Sequence, residues 1–105
     1  MISLKAGVRL ADLASQMLVA LMVAERVWAQ HGVATLTITS ANDGSHKDGS
    51  LHYQGRALDL RIHTMEGTQR VRAVKALTDA LGGAFDVLHE YLGTPNEHVH
   101  VEWDP

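Results

Sequence analysis

Between Leu10 and Gln30 the apolar residues Leu10, Leu13, Met17, Leu21, Ala24 and Trp28 recur every three or four positions. That spacing predicts a helix with one buried stripe. Leu18, Met22 and Val23 widen the stripe, as for a helix laid across a sheet, and Met17, Met22 and Trp28 read as core residues. His31-Gly32 supplies the stop, with the glycine suited to a left-handed cap. Residues 1–9 read as a short lead-in to this helix.

From Val33 to Thr39 the pattern changes to strict alternation. Leu36 and Ile38 lie on one face and Thr35, Thr37 and Thr39 on the other, which predicts a half-buried strand. Ser40 to Gly49 is rich in turn formers and reads as a surface loop. Alternation returns from Arg56 to Ile62, with Leu58, Leu60 and Ile62 inward and Ala57, Asp59 and Arg61 on the opposite face. Glu66 to Leu81 predicts a second helix through Val71, Val74, Leu77 and Leu81, closed by Gly82-Gly83. Ala84 to His89 predicts a third strand. Tyr91 to Asn96, with Gly93 and Pro95, predicts a loop. His98 to Trp103 predicts a last strand with Val99, Val101 and Trp103 inward. The order helix–strand–strand–helix–strand–strand is α+β, most simply a small antiparallel β-sheet with helices packed on one face. Residues 1–105 read as a single domain.

Composition narrows the function classes. A 46% hydrophobic content suffices for one modest core, and a net charge of −3 offers no basic field for nucleic acid or anionic lipid. No stretch is long and apolar enough for a membrane span, and the amphipathic N-terminal run makes a poor signal peptide. Cytoplasmic synthesis is therefore expected. The chain has no cysteine, which excludes disulfides and thiolate metal sites. It has seven histidines, an unusual number for its length.

Those histidines are not evenly spread. His98 and His100 lie two apart on a predicted strand and so share a face, while the opposite parity sends the valines inward. His52 precedes the Asp59 strand by a tight turn through Tyr53-Gln54-Gly55 that folds its imidazole over the same sheet face. Ser50 is placed to hydrogen-bond a ligand or the turn backbone. Two imidazoles and a carboxylate, with an acid nearby, are a common ligand set for catalytic zinc. Glu97, at the loop-to-strand junction, is the first choice for that acid, and Glu90 is its rival. His31, His46, His63 and His89 fall outside these segments and read as ordinary surface or edge residues.

Ser50-x-His52-x-x-Gly55-x-Ala57-x-Asp59-Leu60 followed by Glu97-x-x-His100 resembles the signature of the M15-type zinc peptidases. That group includes D-alanyl-D-alanine carboxypeptidases and phage L-alanyl-D-glutamate endolysins, and the hedgehog signalling domain is similar to it in fold. The match spans roughly Thr35 to Trp103. The resemblance implies Zn2+ held by His52, Asp59 and His100 on the sheet face away from the helices. It implies Glu97 as general base, His98 at the oxyanion, and peptidoglycan stem peptides at the bacterial cell wall as substrate. One departure matters. Many relatives carry a carboxylate-binding arginine after the first strand, whereas Ser40 to Lys47 here has none. His46 or Lys47 would have to substitute, which favours an endopeptidase over a carboxypeptidase. Two alternatives stand beside the peptidase: a non-catalytic zinc module of the same fold, and a metal-free domain with a histidine-lined face.

Overall fold

The computed structural model describes residues 1–43, 46 and 49–105. Strand β1 spans Ile2–Leu4, helix α1 Ser15–Gln30, β2 Leu36–Ser40, β3 Ala57–Arg61, α2 Gly67–Leu81, β4 Phe85–Glu90 and β5 His98–Trp103. A short 3-10 turn at Leu51–Gln54 precedes β3. The five strands form one sheet in the order β1-β2-β3-β5-β4. The fold is α+β, as the patterning predicts. One feature differs from that expectation: the lead-in contributes β1, which pairs parallel to β2 and makes the sheet mixed. Three residues are too short a run for alternation to register, and β1 exists because the open edge of β2 accepts it.

Alternation sends Leu36, Ile38, Leu58, Leu60, Val99 and Val101 to one side of the sheet, where all are buried. Both helices cover that side. α1 contributes Met17, Ala20, Leu21, Ala24, Val27 and Trp28, and α2 contributes Ala73 and Leu77. Each fully buried Leu, Ile, Val or Met side chain among them is worth about 1.5–3 kcal/mol. Trp28 is wholly enclosed, and its indole N–H donates to the carbonyl of Arg61 at 3.2 Å, so its one polar atom is satisfied. The helix faces are rotated slightly from those the spacing implied. Met22 is 69% exposed and Val71 59% exposed. Alanines at 20, 24 and 73 take the seam instead, because they let the helices approach the sheet and each other closely. Among the described residues, no helix is long and apolar enough to cross a membrane.

Gly55 fixes the entry to β3. Its φ is 68°, in the left-handed region, and its carbonyl accepts a hydrogen bond from the Ala14 N–H at 2.8 Å. A Cβ at this position would overlap the backbone carbonyl of Asp12. Gly55 therefore lets the segment before α1 lie against the turn that carries His52. Gly7 has a similar φ of 88° with open space around it. Gly55→Ala should cost clearly more than the ~1–2 kcal/mol of a left-handed alanine alone, and Gly7→Ala about that amount. Urea unfolding of both variants checks this, and equal costs would show that the close approach is unimportant.

Candidate metal centre

β3 and β5 pair antiparallel with Asp59 directly opposite His100 and Arg61 opposite His98. Parity places all four on the face away from the helices. His52 arrives from the 3-10 turn. Ser50 Oγ accepts the His52 backbone N–H at 3.2 Å and caps the turn, so of the two roles open to Ser50 the structure gives it the backbone one. The left-handed Gly55 closes the turn, and the His52 ring is buried against the sheet.

The three side chains converge. His52 Nε2 stands 3.3 Å from Asp59 Oδ1 and 3.2 Å from His100 Nδ1, and His100 Nδ1 stands 3.0 Å from Asp59 Oδ1. Tetrahedral ligands about 2.0–2.1 Å from zinc are about 3.3 Å from one another, so this spacing needs little adjustment to hold the ion. The remote nitrogens are already committed. His52 Nδ1 lies 2.7 Å from the Ala41 carbonyl, which only accepts, so Nδ1 carries the proton and Nε2 presents its lone pair. His100 Nε2 lies 2.7 Å from Glu102 Oε1 and donates to it, which turns Nδ1 toward the same point. Bracing of this kind fixes tautomer and ring orientation in metal sites. The donor set fits zinc.

Electrostatics agree with the geometry. Burial pushes the Asp59 carboxyl up, but the His100 and His52 imidazoles, when they carry the extra proton, outweigh it and hold the group well below the usual carboxylate range. Burial pushes His100 down, and its bonds to Asp59 and Glu102 more than reverse that. Both shifts favour positive charge next to the Asp59 carboxylate, at the place where a cation would sit.

His46 is not an isolated surface residue. Its ring stacks on His52 with centroids 3.8 Å apart and planes 5° apart. Its Nε2 donates to the Asp43 carbonyl at 2.9 Å, and its backbone N–H donates to Tyr53 Oη at 2.7 Å. His46 thus packs the outer side of a candidate ligand as well as lining a cleft of about 370 Å³ beside Asp59, His98, Arg61 and Lys5. Lys47, the other residue considered for substrate binding, lies outside the described residues.

The two acids proposed as base lie in different places. Glu97 is buried, and its carboxylate accepts from Arg70 Nη1 at 2.7 Å, pairs with His89 Nε2 at 2.6 Å and accepts the Gly93 N–H at 3.1 Å. Arg70 belongs to α2, and His89 is opposite Val99, so this cluster is on the helix side of the sheet. None of these bonds reaches His52, Asp59 or His100. Glu97 lines the same cleft as Asp59 and His98, but its carboxylate is engaged by Arg70, His89 and Gly93 and ties the Tyr91–Asn96 loop to α2. Glu90 is opposite His98 on the outer face, and its Oε1 lies 3.0 Å from His98 Nε2. His98 Nδ1 is held by the Asn96 carbonyl at 2.7 Å, and its Nε2 lies 3.6 Å from Asp59 Oδ1.

Sequence reasoning assigned no role to Glu102, Arg70 or His89. Glu102 was detectable, since it shares strand parity with His98 and His100. Arg70 comes from α2, 27 residues before Glu97, and His89 from β4 across the hairpin, and no alternation pattern couples either to Glu97.

Two outcomes test the centre. The purified chain should retain tightly bound zinc through dialysis, and His52→Ala or His100→Ala should lose it, as read by elemental analysis. Because protons and metal compete for the imidazoles, zinc affinity should fall as pH drops through the histidine range near ~6.5. Full retention of zinc in both variants would remove these ligands from consideration.

Glu97 is tested separately. Burial raises its pKa, but the His89, Gly93 and Arg70 contacts prevail and lower it. A depressed carboxyl stabilises the fold above its unfolded pKa of about 4.3, and that contribution is lost as pH falls through the folded value. Glu97→Gln should therefore keep its zinc yet be less stable at neutral pH, with the gap to wild type closing toward pH ~3. Urea unfolding in chelator at both pH values reads this. A gap that did not narrow would mean the carboxylate's charge is not what matters.

No family model matches this chain, and neither a curated protein nor a solved structure matches it.

Proposed function

We propose that this chain is a zinc-dependent peptidase that cuts peptidoglycan stem peptides, acting as an endopeptidase at the bacterial cell wall. The observation that carries the reading is the convergence of His52 Nε2, Asp59 Oδ1 and His100 Nδ1 with both remote ring nitrogens already tied. The resemblance of the two motifs to M15-type peptidases supplies the substrate class, and the lack of an arginine between Ser40 and Lys47 supplies the preference for internal bonds. Zinc at this position would polarise the scissile carbonyl and acidify a water molecule.

The chain's own residues must then move the proton. Asn96 holds His98 Nδ1–H, so a bond between His98 Nε2 and Glu90 Oε1 requires a second, shared proton. Without that proton the pair is a base on the cleft side of the sheet, able to take a proton from water and return it to the leaving amine. His46 and Tyr53 keep the His52 ring in place. The cleft beside Asp59 gives an extended peptide access.

A second reading draws on the burial of Glu97. With the acid of the resembling motif withdrawn into an ion pair, the chain would be a non-catalytic zinc module whose metal stabilises a binding surface. Release of free amino groups from purified peptidoglycan separates the two. On the peptidase reading, chelator abolishes release and zinc restores it. Glu90→Gln should then keep the metal and lose roughly 10²-fold or more in turnover. Zinc bound without any cleavage would favour the module. Loss of turnover in Glu97→Gln alone, with Glu90→Gln unaffected, would return the base to Glu97.

A further inference from the structure

We infer that the outer face of the sheet holds a second, weaker divalent-cation site made by Asp59, Glu90 and His98, joined to the first through Asp59. The three come from β3, β4 and β5, and their candidate ligand atoms all lie within 4.8 Å of one another. Continuous pairing fixes their positions: Glu90 is opposite His98, and His98 is opposite Arg61, two residues from Asp59. The site is built before any ion arrives.

Its construction repeats that of the first. His98 has its remote nitrogen tied to a backbone carbonyl, as His52 does, and its other nitrogen faces two carboxylates. Asp59 is largely buried, and its contacts with His52, His98 and His100 all use Oδ1. Oδ2 makes no hydrogen bond to any described residue. One carboxylate with a free oxygen between two imidazole groups is suited to bridge two cations. The second cluster has one imidazole and two carboxylates, a harder set than the first, and its Glu90 side chain is 37% exposed. Both features make it the weaker site and suit Zn2+, Mn2+ or Co2+. The exposed group of Asp86, Glu102 and Asp104 has no imidazole and serves as the control.

The consequence for activity rests on the peptidase reading; the binding does not. A cation held by Glu90 and His98 removes that pair from proton transfer. The first equivalent of zinc then activates and the second inhibits.

The test is calorimetric titration of the chelator-stripped full chain with Zn2+, with native mass spectrometry to count ions. Wild type and Asp86→Asn should take two ions in two steps. Glu90→Gln and His98→Gln should each weaken the second step more than about tenfold and leave the first in place. Thermal melts confirm that the variants are folded. With Co2+ at both sites, spin coupling across a shared carboxylate should attenuate the resonance signal relative to the one-ion form. Hydrolysis should decline with a midpoint equal to the second dissociation constant. One ion at saturation, or a second ion surviving in the Glu90→Gln/His98→Gln double variant, overturns the proposal even if hydrolysis is observed. Two ions with the expected variant losses sustain it even if no peptide bond is cut.

Discussion

The site depends on one pairing, that of β3 with β5 in a single register. Leu58 and Leu60 face the helices together with Val99 and Val101, all buried, and this places Asp59 opposite His100 on the other face. A slip of β5 by one residue would turn His98 and His100 under the helices and expose Val99 and Val101. The core therefore specifies the chemistry. β2 and β4 on either side add His98's partner Glu90 and the path to Ala41, whose carbonyl orients His52.

The same sheet holds two buried carboxylates, and their partners give them different fates. Glu97 faces Arg70, a permanent cation, and two further donors. Those contacts already engage both carboxylate oxygens. Asp59 faces three imidazoles, which can each be neutral. An imidazole gives up its proton at moderate pH and offers a lone pair in its place, so the pocket that stabilises Asp59 with a proton can do so with a cation. Partner type rather than burial separates the acid that could take a cation from the one held in an ion pair.

The candidate ligands are also held from behind. Ala41, Glu102 and Asn96 each take the remote nitrogen of one imidazole, and His46 stacks on His52. Gly55 lets the chain before α1 close over the turn on which His52 sits. The 3-10 turn, lacking strand partners of its own, is thereby held against β3.

How much of this was legible in the sequence follows from the range of each interaction. Alternation and helical spacing are local, so they determined both helices, strands β2 to β5 and the shared face of Asp59, His98 and His100. The turn at Tyr53-Gln54-Gly55 also placed His52 correctly over that face. What only the tertiary structure decided lies where local rules lose their hold. β1 depends on the open edge of β2, 34 residues further along the chain, and not on any pattern of its own. Met22 and Val71 are exposed because the rotation of a helix is set by the surface it packs on. Glu97 sits just before β5, where strand parity no longer constrains a side chain, and Arg70 of α2 together with His89 of the neighbouring strand draws it to the helix side. The sequence determined which face carries Asp59 and the imidazoles because that face is written in every second residue; the partners of Glu97 were decided by contacts between elements that only the folded chain brings together.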